Sequence, residues 1–430
     1  MKFSVITGII LAMFLMSTLS LTFNVQIAKA TDDWPMFRHD LNNTGYSTST
    51  APNTSNLLWN SSIGTFLASP IVADGSVYIG SDDYSIYCLD AATGTIKWNY
   101  TTGDYGASPV AVHGRIYVGS SDRRIYCLNA LTGSHIWNYT TGGSISSSPA
   151  VVGGKVYIGS NTLNHNFYCL NASTGAHIWN YTTGGSISSS PAVVGGKVYV
   201  GSNDYNIYCL NASTGAKIWN YTTGNSIARS SPAVAFGMVY VGSLDFNVYC
   251  LNATTGERVW NYTTGDFIRS SPAIAYGRVY IGSCDNKVYC FNATTGNVVW
   301  NYTMVHEVWS PPAVADGKVF VGSYGGKTYC LNAATGVHIW NHTTGHTVVS
   351  APAIADGKVF VSSLDDQIYA FGPLLPPVGG IQIAIDKLEL LTPYIALAII
   401  IVAVIALSAY SWKHWTKKPT IQRTKSAQTA

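Results

Sequence analysis

The chain has 430 residues, 47% of them apolar and only 10% charged, with a formal net charge of +3. That is long enough to bury a large core and too apolar for a disordered chain. It also lacks the lysine–arginine stripe of a nucleic-acid-binding surface, so no nucleic-acid partner is expected.

The sequence opens Met1-Lys2, runs apolar from about Val5 to Phe23 and reaches Ala28-Lys29-Ala30. A basic start, an apolar region and an Ala-x-Ala end read as a secretory signal over residues 1–30. An uncleaved anchor is the other reading of so long an apolar stretch. A lead-in follows over 31–56, containing Trp34-Pro35-Met36-Phe37-Arg38-His39-Asp40 and Thr44-Gly45-Tyr46-Ser47.

Residues 57–372 are periodic. Trp59, Trp98, Trp137, Trp179, Trp219, Trp260, Trp300 and Trp340 recur 39 to 42 residues apart. A run of the type Gly196-Lys197-Val198-Tyr199-Val200-Gly201-Ser202 also recurs eight times, starting at Gly75 and ending with Gly357. Each unit holds four short β-rich runs separated by Gly, Asn, Asp and Ser, with no helical stretch. Four strands in ~40 residues is the pattern of a propeller blade. The last Gly run has no Trp-bearing strand after it, and Leu57-Leu58-Trp59-Asn60 has no blade before it. The two fragments complement each other. The expected fold is all-β, an eight-bladed propeller of four-stranded antiparallel blades closed by an N-terminal strand, plus one C-terminal transmembrane helix.

The window Cys209-Leu210-Asn211-Ala212-Ser213-Thr214-Gly215-Ala216-Lys217-Ile218-Trp219 recurs at 88–98, 127–137, 169–179, 250–260, 290–300 and 330–340. It resembles the tryptophan-docking motif of pyrroloquinoline-quinone-like repeat propellers. In that family a Trp packs on the neighbouring blade's motif and locks blade to blade, which the resemblance implies for the eight Trp here. Two departures are systematic: the family's leading Ala is Cys in seven copies, and its Asp is Asn except at Asp90. The lead-in also resembles that of such proteins.

After a linker at 373–392, the apolar segment 393–412 is long enough to cross a bilayer as a helix. The tail, 413–430, carries Lys413, Lys417, Lys418, Arg423 and Lys425 and no acid. Positive flanks mark the cytoplasmic side, so the propeller is expected outside the cell. This C-terminal arrangement resembles the anchor of certain archaeal surface proteins. With tail and leader set aside, the remainder is net acidic by about four charges. Its solubility must come from Ser, Thr, Asn, Tyr and glycans. Fourteen Asn-x-Ser/Thr sequons are present, and Asn99, Asn138, Asn180, Asn220, Asn261, Asn301 and Asn341 are the candidate acceptors. The alternative is that the repeat consensus merely reads Asn-Tyr-Thr.

Eight cysteines in a secreted chain ordinarily suggest disulfides. Here seven of them, Cys88 to Cys330, share one place in the repeat. Sheets stacked ~10 Å apart keep such positions beyond disulfide reach, so buried free thiols are expected. Cys284 stands apart in a turn. Asp83, Asp122, Asp204, Asp245, Asp285 and Asp365 recur after Gly-Ser and read as turn residues, with Thr162 and Gly325 breaking the series.

A residue that serves folding serves every blade, so function is sought where copies differ. Three residues before the Pro of the innermost strand the column reads Leu67, Gly106, Ser146, Ser188, Arg229, Arg269, Trp309 and Val349. No core position accepts Gly, Arg and Trp alike, so this column is expected at the channel mouth. With Asp266, His306, Glu307 and His346 nearby, Arg229, Arg269 and Trp309 form the candidate ligand-binding set. No catalytic residue and no metal site are assigned. Quinone dehydrogenases of the resembling family carry adjacent cysteines and acidic and amide calcium ligands. This chain has no Cys-Cys pair and no insertion that builds a pocket. The expectation is a cell-surface binding or scaffold module for a protein, peptide or glycan, without quinone or calcium. A quinone-dependent oxidoreductase, or its electron-transfer partner, is the alternative.

Overall fold

A computed structural model describes residues 33–64, 68–161 and 164–373. The leader, the chain beyond Pro373 with its apolar segment 393–412, and the tail lie outside the described residues. No helix among those described is long and apolar enough to cross a membrane.

The described residues form eight β-sheets arranged as propeller blades. Blade 4 is typical, with antiparallel strands Ala192–Val194, Lys197–Gly201, Asn206–Asn211 and Lys217–Thr222 from the axis outward. Its second and third strands are covered on both faces by neighbouring blades. Val198, Val200, Ile207, Cys209 and Leu210 are consequently all fully buried, which is why these runs read as continuously apolar rather than alternating. The outer strand has one solvent face and alternates. Trp219 points in, and Lys217, Asn220 and Thr222 point out. A β-bulge between Cys209 and Leu210 leaves Ile218 unpaired and aims Trp219 at blade 5.

The docking is specific. Trp219 Nε1 donates to the Ala253 carbonyl of blade 5 at 3.4 Å, and Tyr199 Oη donates to that same carbonyl at 2.9 Å. The indole lies over Gly256, whose φ is +77° and where an added Cβ would meet the ring at 2.7 Å. The arrangement repeats at Trp59, Trp98, Trp137, Trp179, Trp260 and Trp300, each donating to the next blade's Ala carbonyl. Trp340 instead donates to Pro52 of the lead-in. All eight are buried except Trp98, which is half-buried.

The ring closes as the complementary fragments require. Leu57–Ser62 is the outer strand of blade 8, antiparallel to Gln367–Phe371. The lead-in does more than the sequence suggested. It crosses the inside of the ring, and its carbonyls accept backbone N–H groups from the inner strands of blades 1, 2, 4, 5, 6 and 7. Trp34 accepts from Val72, Pro35 from Ala111, Leu41 from Val193, Asn42 from Val234, Thr44 from Ile274 and Gly45 from Val314, at 2.7–2.8 Å. Tyr46–Ser47 then pairs in parallel with Ala313–Ala315 of blade 7. Arg38 is fully buried at the centre and donates to the Pro272 and Pro312 carbonyls. Burial lowers its pKa to about 9. The inner strands are also joined by serines that precede their prolines. Ser148 N–H donates to Ser190 Oγ, Ser190 N–H to Ser231 Oγ, and Ser231 N–H to Ser271 Oγ, at 2.8–2.9 Å.

The eight cysteines are free and buried. Those of the repeat face the docking Trp across the strand pair, as Cys209 faces Trp219, and burial raises their thiol pKa, to about 11 for Cys209. Cys284 is the most accessible, at 7% exposure, with a thiol pushed to about 12 by burial and by the Glu307 carboxylate. Denatured, unreduced protein is therefore expected to react with a thiol reagent at nearly all eight positions, and folded protein at few, Cys284 first. Peptide mass spectrometry reads the outcome; several native bridges would contradict the buried-thiol reading.

A candidate ligand-binding mouth on the central channel

The inner strands of blades 3 to 8 each enter the ring through an apolar residue seated on a glycine of the preceding blade. Ile227 packs over Gly201, Ile268 over Gly242 and Val308 over Gly282, so closely that a Cβ on any of these glycines would come within 2.4 Å of the side chain. The residue before the serine thus alternates with a buried neighbour and faces the channel. Every described member of the variable column lines one of two cavities that share Ser108 and Ser146. Leu67 lies outside the described residues.

The larger cavity, about 460 Å³, is the channel itself. Its lining includes Phe37, contributed by the lead-in, and the serines of the inner ring. Arg229, Arg269 and Trp309 line it from blades 5, 6 and 7, and Ser146, Ser188, Asn161 and Asn203 line it from blades 3 and 4. The smaller cavity, about 430 Å³, lies between blades 1 and 2, beside Tyr105, Asp82 and Leu364.

Trp309 organises the charged side. The Arg269 guanidinium lies 4.8 Å and that of Arg229 5.8 Å from its ring centroid, within cation–π range. Tyr324 packs against the indole at 4.9 Å between centroids. Glu307 accepts the indole N–H at 2.6 Å and so fixes the ring's tilt. Among the described residues neither arginine has a carboxylate within ion-pair distance. The Arg229 pKa is lowered, first by burial and then by the neighbouring Arg269 charge. Arg229 also has φ +70°, a left-handed conformation that costs a residue with a Cβ about 1–3 kcal/mol.

The other members of the predicted set do not line the cavity. Asp266 accepts the Phe267 N–H through Oδ1. His346 Nδ1 faces the Thr347 N–H at 2.8 Å. His306 is exposed, yet its ring lies where a side chain on Gly325 would be. In other blades an Asp stands at the place of Gly325. Asp245 accepts the Gly224 N–H at 2.6 Å and the Tyr249 hydroxyl at 2.7 Å, tying a hairpin to the preceding outer strand. Blade 7 has lost that Asp, and His306 fills the gap. Blade 3 corrects the sequence reading of this series. Asn164, not Thr162, takes the Asp place and donates to the Tyr168 hydroxyl at 2.7 Å, because two extra residues displace it. No group of three or more His, Cys, Asp or Glu side chains among the described residues is arranged to hold a metal ion.

The seven candidate asparagines, Asn99 to Asn341, are all exposed on outer strands. The sequon asparagines of the docking turn differ: Asn211 Oδ1 accepts the Ser213 and Thr214 N–H groups, and Asn171, Asn252 and Asn292 do the same in their blades.

The family model described as outer membrane protein assembly factor BamB matches residues 101–161, 143–243, 227–310 and 285–373. The chain belongs to this family of pyrroloquinoline-quinone-like repeat propellers. No curated protein matches the sequence at a significant level. Among solved structures, BamB from Moraxella catarrhalis is 19% identical with a TM-score of 0.64, covering 75% of this chain and 99% of that one. Quinohemoprotein alcohol dehydrogenase ADHIIG from Pseudomonas putida HK5 is 16% identical with a TM-score of 0.70, covering 82% of each chain. The corresponding enzyme from Comamonas testosteroni is 17% identical with a TM-score of 0.69, covering 82% of this chain and 83% of its own. At such identities the BamB-family propeller shares a fold with a BamB and with quinohemoprotein dehydrogenases, and the likeness carries no activity across.

Proposed function

We propose that this BamB-family propeller is a non-catalytic binding module, anchored in the cell membrane by residues 393–412 and facing outward, that takes its ligand at the channel mouth. One observation carries the reading: the blades repeat closely in their docking residues and diverge where they line the cavity, at Arg229, Arg269 and Trp309. A ligand breaks the ring's symmetry and asks different blades for different groups, whereas folding asks all blades for the same ones. Arg and Trp are also the residues most enriched at interface hot spots. The leader, the apolar segment and the basic tail support the placement at the membrane. The exposed outer-strand asparagines support a glycan coat on the rim.

The triple substitution Arg229→Ala, Arg269→Ala and Trp309→Ala is expected to leave melting nearly unchanged. It should weaken a surface partner captured with the full-length chain by at least ~2 kcal/mol. Ser146→Ala and Ser188→Ala serve as controls of small effect. Capture that survives the triple substitution but fails when Asn99, Asn138, Asn180, Asn220, Asn261, Asn301 and Asn341 are replaced would move the site to the rim. Dye reduction by the chain with added pyrroloquinoline quinone and calcium, lost in the same triple variant, would make it an oxidoreductase instead.

A further inference from the structure

We infer that the ligand of this mouth is an acidic saccharide, its carboxylate held by Arg229 and Arg269 and its hydroxyls by the adjoining serine–asparagine wall. The inference rests on the binding-module reading above and concerns the chemistry of the ligand.

Two guanidinium groups sit over one indole and carry no carboxylate partner among the described residues. Like charges brought together in a concave site repel, and an anion placed between them relieves the repulsion. Arginine's planar donor array suits a carboxylate in particular. Glu307 is the acid nearest in chain order to Trp309, and one of its oxygens is engaged by the indole N–H. Arg229 is moreover held in a left-handed backbone conformation at the cavity wall, a form of strain that collects at ligand sites.

The adjoining wall, from blades 3 and 4, is uncharged and built from hydroxyls and amides, and Ser188 Oγ on it accepts the Arg229 N–H at 3.3 Å. Asn161 Nδ2 donates to Ser146 Oγ at 2.5 Å, and Ser226 Oγ donates to Asn203 Oδ1 at 2.9 Å. Such groups both give and accept hydrogen bonds, as sugar hydroxyls require. Phe37 and Trp309 add aromatic surface for the apolar face of a sugar ring. Aliphatic lining is confined to Ala228, Pro311 and Val349, which gives little purchase to the apolar side chains of a peptide. The volume, about 460 Å³, is that of a small-ligand site.

The test is calorimetric titration of the full-length chain with four probes: trigalacturonate, the matched neutral galactose trimer, a hexaglutamate peptide and pyrroloquinoline quinone. Trigalacturonate is expected to bind at least tenfold more tightly than each of the others. Arg229→Gln and Arg269→Gln should each weaken it at least tenfold, with Arg229→Lys retaining part of the affinity and an unchanged melting curve certifying each fold. Equal binding of acidic and neutral trimers, indifference to both Gln variants, a preference for the peptide or the quinone, or no binding at all overturns the inference. If a surface partner is captured through Arg229, Arg269 and Trp309 while no acidic sugar binds, the binding-module reading survives and the saccharide does not. If partner capture ignores the mouth, that reading fails first.

Discussion

A chain lacking residues 31–62 is expected to aggregate rather than to melt cooperatively. The deletion removes three things together. Blade 8 loses its outer strand, leaving the unpaired edge of Gln367–Phe371 open to pairing with another chain. Trp340 loses its acceptor at Pro52, and Gly94 loses the indole of Trp59. The channel loses Arg38 and Trp34, two of the largest fully buried side chains, together with the acceptors for Ala111, Val193, Val234, Ile274 and Val314 N–H groups. An unmade buried hydrogen bond costs about 1–3 kcal/mol, so several at once exceed the ~5–15 kcal/mol by which a domain is stable. Differential scanning calorimetry and light scattering read the outcome. A truncated chain with an unchanged transition would show that the ring does not depend on its N-terminal strand. Adding a 33–62 peptide in trans should restore a cooperative transition.

The second large effect is expected at a single docking tryptophan. Trp219→Ala should cost roughly 3–5 kcal/mol, the range for deleting a large buried aromatic. Its seat makes a sharper comparison. Gly256 and Gly237 have φ of +77° and +72°, so alanine is strained at both by about 1–2 kcal/mol. At Gly237 a Cβ meets nothing within 4 Å, while at Gly256 it meets Trp219 at 2.7 Å. Gly256→Ala should therefore cost clearly more than Gly237→Ala, and its excess should shrink in a Trp219→Ala background, since the two residues share one contact. Half-buried Trp309 lies outside the docking series and its truncation should cost far less. Denaturant titration of these five variants, the double variant included, is the measurement. Equal losses at Trp219 and Trp309 would erase the distinction between repeat and variable positions.

The ring was legible because its determinants recur. A Trp that must dock in every blade is written eight times, and an incomplete unit at one end announces the strand missing from the other. The mouth was legible for the opposite reason, since Arg229, Arg269 and Trp309 stand where a repeat ought to be uniform. What does not recur, and sits far in sequence from its partners, stayed hidden. Arg38 bonds carbonyls of blades that begin more than two hundred residues later, and Phe37 lines a cavity with them, and no local pattern points there. The exchange of Asp for Gly325 with His306 above it needs two departures to be read as one. The His306 ring occupies the space that a side chain at position 325 would take. Asn164 was overlooked because two inserted residues shift the blade's numbering by less than a turn's length.

The strand that completes blade 8 is made before blade 1, and the strand it pairs with is the last in the ring among the described residues. Asn60 and Gln367, which share a side-chain hydrogen bond, are 307 residues apart. At ~5–20 residues per second of synthesis, Leu57–Ser62 waits about 15–60 s for the strand beside it. Blades 1 to 7 can form in order during that interval, but the earliest of them stands with Gly94 bare and its channel side open. The propeller is therefore finished as a single late event at the ribosome's pace. A pause or a premature stop between Ala353 and Phe371 leaves a nearly complete molecule with a free edge, a species that quality control must hold or destroy.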